Sequence, residues 1–119
     1  MKTITRPADI AIQFGDRPAV DAAGNPLVFS FGQVVRAILE DPSFQASFVA
    51  ARIANRIEAA VMRDSPTLDL HDEDHAFLLK VMQTAEPPSL RSTGPAGEDV
   101  RFAITRQLVP FFEAVESAT

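Results

Sequence analysis

Proline sets the scale of anything this chain can build. Nine prolines are spread over 119 residues. A proline removes a backbone donor and clashes with the preceding turn, so it suits the start of a helix and not its interior. Asp41-Pro42, Ser65-Pro66 and Pro87-Pro88 therefore cut the second half of the chain into separate segments. The apolar residues between these breaks recur at helical spacing.

The segments read as follows. Ser30-Phe31-Gly32-Gln33 fits a capping box, in which the hydroxyl and the glutamine each satisfy one free amide. A first helix is predicted from about Phe31 to Glu40, with Val34, Val35, Ile38 and Leu39 on its apolar face. Asp41 and Pro42 suit the start of a second helix, running from about Pro42 to Arg63. Its stripe is Val49, Ile53, Ile57, Ala60 and Val61, flanked by Phe44 and Phe48. A third helix follows Leu68-Asp69-Leu70, capped by His71 or Asp72, and buries Phe77, Leu78, Val81 and Met82. Residues 86–97 read as a loop. A fourth helix covers about Glu98 to Ala118, striped by Val100, Ile104, Leu108, Phe111, Phe112 and Val115. Pro110 lies inside it and predicts a kink or two abutting helices.

The first 30 residues differ. Residues 1–8 read as a loose arm. Ile10, Ile12 and Phe14 alternate with small or polar residues, which signals a short strand broken by Gly15-Asp16. Val20 and Leu27-Val28-Phe29 flank a turn rich in Gly, Asn and Pro, so a small β-hairpin is predicted. The expected fold is mainly α. It is a single domain over 1–119, with an arm and hairpin at 1–30 and a helical part at 31–119.

Composition narrows the chemistry. There is no Cys, so disulfides, thiolate metal sites and Cys nucleophiles are excluded. No apolar run approaches the roughly 18 residues of a membrane helix. Asp9 interrupts the N-terminal region, which lacks a secretory core. A soluble protein of the host cytoplasm or of a virion is the expectation. Residues 1–63 carry a net charge of +1 and residues 64–119 a net charge of −6. An acidic half argues against general nucleic-acid binding, which needs Lys and Arg against phosphates. There is no Gly-rich phosphate loop, nucleophile elbow or dinucleotide fingerprint, so no catalytic residue and no cofactor is assigned.

Three groups of residues are candidates. His71 and His75 stand four apart, with carboxylates between them, and could chelate one metal from a shared helix face. The order is not that of a zinc protease, because the Glu is one place late. The plainer reading is a helix start with a capping His and three acids matched to the helix dipole. Arg52, Arg56 and Arg63 fall within about 40° of each other on the second helix. Their guanidinium forks could hold phosphate or an acidic partner, and the plainer reading is a solvated face or pairing with the chain's own acidic half. Phe111-Phe112 places two rings about 100° apart, which both bury only under a wide contact. Core is the plainer reading for them, although a domain this small has limited interior.

The order of features resembles a group of short accessory proteins encoded by tailed bacteriophages and prophages. The resemblance rests on Gly24-Asn25-Pro26-Leu27, Phe31 to Leu39, Leu68-Asp69-Leu70 with Glu73-Asp74, Leu78-Leu79-Lys80, and Glu86-Pro87-Pro88. It spans about residues 19–90, and His75 stands where that pattern prefers an aliphatic residue. It implies an accessory protein that works by contact with other proteins, with no catalytic residue.

The expected function is therefore a non-catalytic protein–protein interaction, as a phage assembly or virion component, with self-association one form of it. Leu108, Phe111, Phe112 and Val115 are the predicted contact surface, with Arg52 and Arg56 as a polar rim. An alternative is an acidic inhibitor mimicking nucleic acid through Asp69, Asp72, Glu73, Asp74, Glu98 and Asp99. A further alternative is a metal-dependent enzyme at His71 and His75.

Overall fold

The computed structural model describes residues 1–40, 47–84 and 101–119. The N-terminal region is not the single hairpin expected between Val20 and Leu27-Val28-Phe29: that turn closes with one isolated bridge, and Val28–Phe29 pair instead with Ile10–Ala11. The strand signal at Ile10 to Phe14 splits into β2 (Ile10–Ala11) and β3 (Gln13–Phe14), with fully buried Ile12 between them. Gly15 adopts φ 65° and turns β3 into β4 (Arg17–Pro18), the positive φ that a two-residue turn needs. The second turn is organised by Asp21, whose carboxylate accepts the amides of Ala23 and Asn25 at 2.9 and 3.0 Å. Val20 then pairs with Pro26, and β5 (Val28–Phe29) returns alongside β2. The Ile12 amide donates to Leu27, the Leu27 amide to Ala19, and the Ala19 amide to Ile12. Three short segments thus close on one another around apolar side chains.

The expectation of a mainly α fold with one hairpin does not hold. The described residues form five helices and six short strands in three two-stranded antiparallel sheets, a mixed α/β architecture. The decisive correction concerns the supposed loose arm. Its residues Lys2–Thr5 form β1, which pairs with β6 (Thr67–Leu70) in the register Thr3↔Asp69 and Ile4↔Leu68. Ile4, Leu68 and Leu70 are buried. Thr3 also exchanges backbone bonds with Thr119, so both edges of β1 are engaged. The outer side of β6 is protected locally: the Ser65 hydroxyl donates to the Thr67 carbonyl at 2.8 Å and accepts its amide at 3.3 Å. Such satisfaction blunts an edge that could otherwise recruit another strand.

The helices follow the apolar stripes. In α1 (Phe31–Leu39) the capping box forms, with the Gln33 amide donating to the Ser30 hydroxyl at 3.2 Å and the Ser30 amide to the Gln33 side chain. The second helix is α2 (Phe48–Met62), which starts later than the predicted Pro42 because Ser47 is extended and its hydroxyl accepts the Ala50 amide as the N-cap. The predicted start at Asp41-Pro42, and Phe44, lie outside the described residues. The end of α2 is a Schellman motif: the Ser65 amide reaches the Ala60 carbonyl and the Asp64 amide the Val61 carbonyl. The left-handed position falls on Asp64, at φ 49°, where glycine is usual. α3 spans Asp72–Thr84. The predicted loop at 86–97 lies outside the described residues. The last helix divides, as Pro110 requires, into α4 (Arg101–Gln107) and α5 (Val109–Glu116). One buried cluster joins these parts, with Phe111 edge-to-face on Phe31 at 5.8 Å and 77°.

Candidate functional site

The arginine stripe of α2 sits where three elements meet: α2, β6 and the first turn of α3. Its three members behave differently. Arg52 donates through Nε to Asp74 Oδ2 at 2.8 Å and through Nη2 to Asp74 Oδ1, a bidentate fork. Asp74 is fully buried, whereas the Arg52 side chain is 46% exposed. The hydrogen bond that Arg52 donates to the Asp74 carboxylate raises the pKa of Arg52 above its ordinary value, against some desolvation. This arginine therefore fastens α2 to α3, and the chain's own acidic half supplies the counter-ion.

Arg56 donates to the Asp69 carbonyl at 3.3 Å and meets His71 Nε2 at 3.0 Å. A guanidinium can only donate, so His71 Nε2 accepts and the ring proton of the neutral form lies on Nδ1. His71 immediately precedes α3, and its carbonyl accepts the His75 amide at 2.9 Å. His75 is buried, and its Nε2 faces the Val115 carbonyl at 2.6 Å, which a carbonyl permits only if the ring donates. The two imidazoles thus reach to different elements, one to α2 and one to α5. Among the described residues no group of three or more His, Asp or Glu is placed to hold a metal.

The acids are also divided. Asp69 accepts from the Thr3 hydroxyl at 2.7 Å across the β1–β6 pair. Asp72 meets the Met1 amine at 3.0 Å, and that hydrogen bond and charge lower its pKa below the usual carboxylate value. Glu73 is exposed. Glu98 and Asp99 lie outside the described residues. An electrostatic mimic needs a free array of carboxylates, and three of the four acids described here already have internal partners.

Leu108, Phe111 and Val115 are buried in the core and Phe112 is half-buried. The aromatic and thioether side chains that do face outward are others: Phe48 is 91% exposed, Met62 82% and Phe102 76%. The sequence places Phe48 as a flank of the apolar stripe, and its position on the outer face depends on how α2 is rotated against its neighbours. Gln107 was also unmarked. Its side chain accepts the Gln13 amide and donates to the Gln13 carbonyl, both at 2.7 Å, and so docks α4 on β3 as a strand would. A glutamine on a polar face carries no sequence signal for that role.

No family model, curated protein or solved structure matches this chain. No helix among the described residues is long and apolar enough to cross a membrane.

Proposed function

We propose that the protein acts by contact with another protein chain and not by catalysis, as an assembly or accessory component of a tailed phage. One observation carries the contact reading: Phe48 and Met62 are almost wholly exposed on α2. They are fourteen residues apart, so at about 100° per residue they fall on the same side of the helix, within about 40°. They stand at opposite ends of α2, about 21 Å apart along its axis, so a partner that covers both must lie along the whole helix, and large apolar side chains left in water support such a contact. The phage setting rests on the resemblance of residues 19–90 to phage-encoded accessory proteins. The buried positions of Leu108, Phe111 and Val115 move the proposed surface from the last helix to the outer face of α2.

Light scattering over a range of concentrations tests this, first alone and then with the products of the neighbouring genes. The expected result is a mass above that of the monomer in one of these conditions, returned to the monomer by Phe48→Ser with Met62→Ser. A strictly monomeric species throughout, with no complex formed, overturns it.

A further inference from the structure

We infer that the groove between the C-terminal half of α2 and β6 binds a small oxyanion, a phosphate or a carboxylate group. This is independent of the apolar face on the same helix. Arg56 and Arg63 both line the groove, together with Ser65, Thr67 and Asp69. They are seven residues apart and thus project from the same side of α2, about two turns from each other. Arg52 already has its counter-ion in Asp74, but neither Arg56 nor Arg63 forms an ion pair among the described residues. Arg56 directs Nη1 to the Asp69 backbone carbonyl and Nη2 to His71 Nε2, and neither bond is an ion pair. Arg63 has no side-chain hydrogen bond to a described residue.

The end of a helix ordinarily disfavours an anion, because its last carbonyls carry partial negative charge. Here the Ala59, Ala60 and Val61 carbonyls each accept an amide, from Arg63, Ser65 and Asp64 respectively. The Asp69 carboxylate is held from the β1 side by the Thr3 hydroxyl. Size decides the class of ligand. The groove holds about 170 Å³, below the roughly 300–1,000 Å³ of sites that enclose a whole small molecule. One oxyanion group reached by the Arg63 fork and by the N–H groups that Arg56 does not already use is the fit, and a guanidinium matches phosphate and carboxylate alike.

The test follows amide chemical shifts during titration with inorganic phosphate and, separately, with acetate, at ionic strength held constant by chloride. A saturable response at Arg56, Arg63, Ser65 and Thr67 is expected, with phosphate-only or acetate-only saturation naming which oxyanion the groove prefers. Arg63→Gln should weaken that binding by about tenfold, the worth of one charge-assisted hydrogen bond. Arg63→Lys should fall between the two, and Arg17→Gln, on the exposed strand β4, should match the native chain. The absence of a saturable response to either anion, or an unchanged affinity in Arg63→Gln, overturns the inference.

Discussion

The Asp74 carboxylate has no contact with water and both of its oxygens face Arg52. The two partners are not equivalent, because a half-exposed guanidinium can turn to solvent and a buried carboxylate cannot. Arg52→Ala is therefore expected to destabilise the fold more than Asp74→Ala, and a pair of urea melts with the double variant measures the difference. Equal losses would show that Asp74 relaxes to water on its own. Asp64 raises the opposite case. It holds a left-handed conformation that glycine occupies without cost, and its Arg6 partner is an exposed one at 3.0 Å. Asp64→Gly should raise stability by roughly 0.5 kcal/mol and Asp64→Val should lower it by at least about 1 kcal/mol, because a Cβ branch penalises that conformation. Both are read as shifts of the thermal midpoint. The Schellman end at Ser65-Pro66 was visible as a stop, but the residue in the strained place was not, since Asp is also a common turn residue.

Among the elements, the α1–α2 contact depends on Gly32. A methyl added there would lie 3.0 Å from Val61 Cγ2 and 3.5 Å from Ile57 Cγ2. Val61 is half-exposed and can give way, while alanine gains about 1 kcal/mol of helix propensity over glycine. Gly32→Ala is thus expected to be close to neutral, whereas Gly32→Leu should cost about 2 kcal/mol by overpacking. A large loss in the alanine variant would mean that Val61 cannot move. Gln107→Ala should cost roughly 1 kcal/mol, because both backbone groups of Gln13 lose their partner. Hydrogen exchange at the Gln13 amide would report the loss directly. The helices were legible because stripes and caps are local: Ser30 with Gln33 spans four residues, and Pro110 dictates its own break. The Gln107 dock joins residues 94 apart and leaves no local trace.

For the whole molecule, β1 is the test of how the chain closes. Ile4 is fully buried against β6 and its surroundings, so Ile4→Ala should cost about 3 kcal/mol. An unattached arm would leave the unfolding midpoint unchanged. Asp72 adds a pH dependence to the same corner. The Met1 amine holds its pKa below the ordinary value, so its contribution is full above about pH 4. That contribution is lost as pH falls through the lowered value, because the unfolded chain then binds the proton more readily. Stability measured from neutral to acid pH should lose part of its acid slope in Asp72→Asn. The sequence by itself determined the helix that follows Ser30, the stop at Ser65-Pro66, the break at Pro110, the turn at Gly24, and which side chains are apolar, since each depends on neighbours within one or two turns. Only the tertiary structure decided that residues 2–5 are a strand, that Phe111 is core while Phe48 faces outward, and that Arg52 has an ion-pair partner while Arg56 and Arg63 have none among the described residues. Those outcomes depend on which distant segments meet, and no short-range periodicity records it.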